Sequence, residues 1–398
     1  MGLPSRLPAF GRFTVNQQPS VVPWRQRGLL FRTTITVLFL GWLGFAAIAV
    51  PAATLLLASS VTANGRICAV AALLYSLAPV ALFRRGSRKW AWSALAALAL
   101  VLFVAVRSPA IIDERGQFQS ACERQAKPTF FSPARLVPEL DQHLMGANLF
   151  AWLDPFIDRQ QARQLKQTIR AVYEPMRKDP DFAECGNALH LCYRDMLLSS
   201  RPYHQFSYIP DTAAPDQPLP VLLFLHGSLG NFKGYLWQWK QLADEQQFAI
   251  VAPTFGLGDW NRQNVNAAAS NALQWIENNP RLNSKRVTLA GLSNGGFGVS
   301  HAAMQWENRF ERIIYISPVV VGNDDNAAFA KAVGDTPILV ISGNEDRRVP
   351  VEHLKRACDK LRIHDVNLKT VFLPERDHFL FFSDFDAVRR AMNNPATP

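Results

Sequence analysis

Arg286-Val287-Thr288-Leu289-Ala290-Gly291-Leu292-Ser293-Asn294-Gly295-Gly296-Phe297-Gly298 contains Gly291 to Gly295, which spells G-x-S-x-G. Val287 to Ala290 is short, apolar and partly β-branched, as a buried strand is. From Asn294 to about Trp306 the chain contains Ala, Met and Gln and suits a helix. Strand, sharp turn and helix is the setting in which this pentapeptide lifts a serine hydroxyl clear of the backbone, because the small residues at both ends let the turn close. Ser293 is therefore the candidate nucleophile. The competing reading is a Gly-rich turn that happens to contain a serine, and partners elsewhere in the chain decide between the two.

From about Tyr203 onward, strand-like runs alternate with amphipathic helical stretches, which predicts an α/β fold with a mostly parallel sheet. The predicted strands are Gln205–Ile209, Val221–Leu225, Ala249–Ala252, Val287–Ala290, Arg312–Ile316, Ile338–Ile341 and Lys369–Phe372. Chemistry in such a sheet sits at the carboxyl ends of the strands. His226-Gly227-Ser228-Leu229-Gly230 follows the Val221 run. A glycine-containing turn there aims backbone N–H groups inward, and a G-x-S-x-G site needs one such donor beside the N–H after the nucleophile. This assigns an oxyanion hole to the N–H of Asn294 with that of Ser228 or Leu229, and leaves His226 a structural role. Ser342 to Pro350 follows the Ile338 run and carries Glu345 and Asp346. A carboxylate there orients a histidine; Asp346 is the first choice and Glu345 the alternative. Pro374-Glu375-Arg376-Asp377-His378-Phe379 follows the last strand and supplies His378, the candidate base. The chain order Ser, Asp, His fits this strand–turn–helix arrangement and neither unrelated protease order.

Together GLSNGG, LHGSLGN, GNEDRRVP and RDHF resemble the α/β-hydrolase superfamily over about Tyr203 to Asn394. Within it they are similar to the branch of polyhydroxybutyrate depolymerases, feruloyl esterases and dienelactone-hydrolase-like proteins. The resemblance implies ester hydrolysis through a covalent acyl-enzyme, with no metal and no organic cofactor. The front half has no counterpart in that pattern.

The front half holds the charge asymmetry. The net charge of +10 suggests a nucleic-acid binder until it is located. Up to Ile112 there are 11 of the 42 Lys/Arg and no Asp or Glu, leaving 31 basic against 32 acidic residues in the remainder. Nucleic acid is thereby excluded as a partner. Thr33 to about Ser59 is uncharged and longer than the roughly 20 residues a bilayer requires. Ile67–Phe83 and Trp90–Val106 are shorter, and flanking Arg and Lys stems extend both. The expectation is a basic leader (1–32), a membrane domain of three transmembrane helices (33–107), a helical extension or cap (108–201) and a catalytic domain (202–398). A cleaved signal is the rival reading of the first block, but its apolar run is long and two more blocks follow it. Arg84, Arg85, Arg88 and Lys89 mark a loop that stays inside, which sends everything after Arg107 out of the cytoplasm, to the periplasm or cell exterior.

Leu136 to Met176 reads as two or three amphipathic helices, either a cap over a substrate pocket or a packing extension. Cys122, Cys185, Cys192 and Cys358 lie in the outer part, where an even count permits disulfides; the close pair Cys185 and Cys192 is the expected one. His190 lies between them, but a metal needs a second ligand pair that is not nearby. Phe232, Tyr235, Trp237, Trp239 and Trp260 are either pocket or core. The expected function is thus a membrane-tethered serine ester hydrolase acting on a small or polymeric ester. Two alternatives stand: a peptidase of the prolyl-oligopeptidase type, which uses the same three groups on the same fold, and a non-enzymatic binding module.

Overall fold

Eight strands form one sheet in the order β1-β2-β4-β3-β5-β6-β7-β8. The computed structural model describes residues 28–77, 88–107, 118–121, 136–179, 182, 188–189, 204–210, 217–256 and 258–393. The strands are β1 (Phe118–Ala121), β2 (His204–Tyr208), β3 (Leu219–Leu225), β4 (Ala249–Thr254), β5 (Leu282–Leu292), β6 (Arg312–Ile316), β7 (Ile338–Gly343) and β8 (Leu368–Leu373). From β4 across to β8 every pairing is parallel, whereas β1 and β2 run antiparallel at one edge. This is the mostly parallel sheet expected from the alternating pattern, with one addition. β1 lies in the segment predicted to be helical.

The central strands are buried on both faces, so they read as continuous apolar runs rather than alternating ones. Successive side chains nevertheless part to opposite sides. Leu222 and Phe224 of β3 enter one core with α4 (Glu139–Leu153), α5 (Arg159–Met176), α6 (Lys233–Gln246) and α12 (Phe385–Asn393). Val221, Leu223 and Leu225 enter the other, with α7 (Arg262–Asn278), α8 (Gly295–Gln305), α9 (Asn326–Val333) and α10 (Val351–Arg362). The short α11 (Leu380–Ser383) adds Leu380 and Phe381 to the first. Phe232, Tyr235, Trp239 and Trp260 are all buried in these two cores and Trp237 packs against the first, so the core reading of these aromatics holds.

Helices α4 and α5 pack against the first face of the sheet as part of its core. Asp158 caps α5 with a reciprocal box, accepting from Gln160 N and Gln161 N while Asp158 N donates to the Gln161 side chain. Leu140, Leu144, Val172 and Tyr173 join the core of the first sheet face. The buried Glu139 carboxylate accepts from Tyr173 Oη, Ala188 N and Lys233 N, tying both helices to the start of α6. Burial alone pushes Glu139 up, but the His143 ring 3.7 Å away, the charge of Lys233 and the Tyr173 hydroxyl outweigh it and hold the carboxyl below its ordinary range.

The three apolar blocks form α1 (Leu29–Ser59), α2 (Ala63–Leu77) and α3 (Arg88–Arg107), with α2 packed against both others. One of them meets the length and composition for crossing a membrane: Thr36–Ser59, 24 residues with mean hydropathy 2.0. The apolar part of α3 is Trp92–Val106. The expectation of three spans is thus met in one helix among the described residues. Arg84 and Arg85 lie outside them, as do Cys122, Cys185, His190 and Cys192. Cys358 is a free thiol buried on α10, and burial pushes its pKa up to about 11.

Candidate active site

Strands β4 and β5 lie on opposite sides of β3, so the loops leaving β3 and β5 part around a crevice at the carboxyl edge of the sheet. Ser293 stands at the end of β5 with φ 52°, a left-handed conformation that costs a non-glycine residue strain. The turn is held from both ends: Ser293 N donates to Ile316 O at 2.9 Å, and Gly296 N and Val319 N donate to Ser293 O. Its glycines are sterically required. A Cβ on Gly291 would lie 2.5 Å from Gly295 O, and one on Gly295 would lie 2.2 Å from Leu225 O. Ser293 itself is half-buried, so its hydroxyl is reachable.

His378, on the loop after β8, places Nε2 2.9 Å from Ser293 Oγ and Nδ1 2.7 Å from Asp346 Oδ2. The other oxygen of Asp346 accepts from Arg348 N and Val349 N, each at 2.9 Å, so the carboxylate is fixed in place and fully paired. An acceptor-only carboxylate makes Nδ1 the donor, which leaves Nε2 to accept the serine proton. Glu345, the alternative acid, points to solvent. His353 and His364, which also follow Asp346 in the chain, are exposed on α10 and just beyond it. The geometry therefore brings together Ser293, Asp346 and His378 and leaves the alternatives apart.

Gly343 is what lets the acid and base loops meet, and sequence reasoning missed it. A Cβ there would lie 2.0 Å from Arg376 O. Asn344 N donates to Leu373 O and Glu345 N to Arg376 O, stitching the two loops together. The only signal in the sequence was a glycine at the end of a strand-like run.

The loop after β3 is anchored from β4. His226 is fully buried; its Nε2 accepts from Phe255 N at 3.2 Å, so its Nδ1 donates to Gly227 O at 2.7 Å. Both ring nitrogens are thereby committed to backbone, in keeping with a structural role. Asn231 Nδ2 donates to Ala252 O and Thr254 Oγ1. On this scaffold Ser228 and Leu229 are exposed at the turn, Leu229 with φ 74°. Among the described residues no acceptor pairs with the N–H of Asn294, Ser228 or Leu229. Gly227 approaches Ser293 closely: a Cβ there would lie 3.3 Å from that of the serine.

The connector between α4 and α5 closes over the acid loop. The guanidinium of Arg348 pairs with Asp154 and lies 5.9 Å from the Phe156 ring and 5.6 Å from that of Phe379. A cavity of about 710 Å³ runs between α5 and the acid and base loops; it includes Asp346 but neither Ser293 nor His378. Space beside His378 is far smaller, about 10 Å³, and Phe156 and Ile157 of the connector line it. Among the described residues no group of three or more His, Cys, Asp or Glu is arranged to hold a metal ion.

Residues 199–378 match the Esterase family model, which takes in all three residues of the site. The bifunctional acetylxylan esterase/xylanase XynS20E of Neocallimastix patriciarum is 32% identical over 146 residues, 35% of this chain and 21% of that protein. The chain thus spans about a fifth of the length of that relative. Among solved structures, a thermostable esterase is 18% identical with TM-score 0.39, over 48% of this chain and 59% of its own. Thermogutta terrifontis esterase 2 is 14% identical with TM-score 0.39, over 48% and 87%. The match to the Esterase model bears out the resemblance to esterases read from the motifs.

Proposed function

We propose that the chain is a membrane-tethered serine hydrolase that cleaves carboxylic esters through an acyl-enzyme. The observation that carries this reading is His378, hydrogen-bonded on one side to Ser293 Oγ and on the other to Asp346. In the first half-reaction Ser293 Oγ attacks the ester carbonyl carbon while its proton passes to His378 Nε2. Asp346 stabilises the imidazolium without taking its proton. The N–H groups of Asn294 and of Ser228 or Leu229 receive the developing oxyanion. Collapse expels the alcohol, which takes its proton from His378, and water attacks the acyl-serine by the same route in reverse. No metal or organic cofactor enters these steps.

The Esterase match over residues 199–378 supports ester rather than peptide bonds as the target. Helix α1 supports the tether, since its apolar residues Leu38, Leu40, Phe45 and Ile48 are all exposed. The basic leader and the basic Arg84 to Lys89 segment support an orientation with the hydrolase outside the cytoplasm, in three spans of which α2 and α3 are the shorter. Labelling with a fluorophosphonate probe tests the chemistry. Mass spectrometry should find the adduct on Ser293, and esters of graded chain length should compete for it. Competition by short peptides alone, with none by esters, would overturn the esterase reading.

A further inference from the structure

Away from α1–α3, four of the large apolar side chains that face solvent are gathered in one place: Leu149, Trp152, Leu153 and Phe156, at the end of α4 and in the connector to α5. Trp152 is 79% exposed and Leu153 76%; among the described residues outside α1–α3 only Ile363, at 77%, is comparably exposed. An aromatic and aliphatic cluster of this kind marks a contact surface.

Two observations say what covers it. The first is position. The turn between α1 and α2 is fastened to α4: Val61 N donates to Asp141 Oδ1 at 2.8 Å, Thr62 Oγ1 donates to the same carboxylate, and Asn148 Nδ2 donates to Ser59 Oγ at 2.7 Å. Asn148 thus touches the last residue of the apolar helix α1, and Trp152, four residues on, stands only about 6 Å further along the α4 axis. The second is charge. Helix α5 carries Arg159, Arg163, Lys166 and Arg170 at spacings of four, three and four, a single helical stripe. Lys166 reaches back to Asn148, and the Arg159 guanidinium lies 5.9 Å from the Trp152 ring, so the stripe borders the apolar cluster. Arg159, Arg163 and Arg170 are exposed and pair with no carboxylate among the described residues. Apolar residues with Trp, flanked by unpaired basic residues, are the composition of a surface that sits in the headgroup layer of an anionic bilayer.

We infer that the α4–α5 corner is a second membrane contact: Trp152 and Leu153 enter the lipid interface beside α1 while the α5 basic stripe meets anionic headgroups. This rests on the tethered reading, because α1 supplies the bilayer. The same connector lines the space beside His378 through Phe156 and Ile157. The corner therefore brings the neighbourhood of the base to the lipid surface, where amphiphilic esters partition.

The test uses the full chain in phosphatidylcholine vesicles containing roughly a third phosphatidylglycerol, an anionic surface of the kind basic segments recognise. A tracer phospholipid carries a photoreactive diazirine near the top of its acyl chain. Adducts should map to peptides covering 149–156 as well as to α1. Trp152→Ser with Leu153→Ser, and separately Arg163→Glu with Arg170→Glu, should each lower adducts at the corner by about fivefold or more, with those on α1 unchanged. Turnover of a water-soluble ester reports that each variant is folded. Adducts on α1 with none at 149–156, or corner adducts indifferent to both variants, would overturn the inference and leave the tether standing. Absence of adducts on α1 would overturn the tether itself.

Discussion

Helix α1 and strand β3 are both strongly apolar in composition and opposite in fate. In α1, Leu38 is 64% and Ile48 76% exposed; in β3, Leu223 and Leu225 are 0% exposed. The difference lies in what surrounds each backbone. A strand in a sheet with helices on both sides sends alternate residues into two cores, so every apolar side chain finds protein. A helix that is apolar all round presents more surface than its neighbours α2 and α4 cover, and the remainder needs a non-aqueous medium. Apolarity alone therefore says only that a segment avoids water. The pattern says what replaces it.

If the two regions are as separable as that contrast implies, chemistry should respond to one of them alone. Ser293→Ala and His378→Ala should each lower kcat for a soluble ester on the order of 10⁴–10⁶-fold with the fold retained, because members of one proton relay act as a unit. Leu38→Ser in α1 should leave that kcat unchanged. Steady-state assays on the full chain in detergent check both. A comparable loss from Leu38→Ser would dissolve the comparison. Asp346→Asn should cost about 10⁴-fold, since the amide orients the wrong imidazole tautomer. Glu345→Gln, on a solvent-facing side chain, should change kcat little. Reversal of those two results would move the acid by one residue.

Gly343→Ala probes the scaffold rather than the chemistry. The added methyl would meet Arg376 O at 2.0 Å, and the backbone bonds from Asn344 N and Glu345 N leave the loops little freedom to part. A stability loss of roughly 2–3 kcal/mol is expected in chemical denaturation. It should come with a fall in kcat larger than in KM, because separation of the loops parts Asp346 from His378. An unchanged kcat would mean that the relay tolerates a shift there.

How much of this was legible in the sequence follows from how local each signal is. Ser293, Asp346 and His378 each sit in the loop that follows a strand with Gly or Pro close by, so a window of about ten residues announces each of them. The edge strand β1 announced nothing. Four residues, Phe118–Ala121, pair only with β2, more than eighty positions away, and the pairing depends on partners no window contains. Glu139 and Asp141 were equally silent. Two acidic residues in the first turn of a helix ordinarily serve the helix dipole at the surface, and only the tertiary structure shows both to be buried.

Those two carboxylates give the sharpest form of the comparison, because α4 is the joint between the regions and each side of it holds one. Two residues apart on a helix, they point to roughly opposite faces, about 200° around. Glu139 faces the hydrolase, accepting from Tyr173, Ala188 and Lys233; Asp141 faces the hairpin, accepting from Val61 and Thr62. Glu139→Gln leaves donors facing a group that accepts at one atom only, and a cost of roughly 1–3 kcal/mol to hydrolase stability is expected. Its carboxyl is held below the ordinary value near 4.5 in the folded state. Its contribution is therefore fully present above that value and is lost as pH falls through the lowered one. Thermal melts from pH 6 down to about pH 3 should show an acid-side decline that Glu139→Gln flattens. Asp141→Asn should leave that decline intact and act elsewhere. Its N–H partners lie in the three-residue turn Ser60–Thr62, so hydrogen exchange at Val61 and Thr62 should quicken with hydrolase stability nearly unchanged. Should Asp141→Asn instead lower the melting midpoint as much as Glu139→Gln does, hairpin and hydrolase unfold as one unit and α4 is no joint between them.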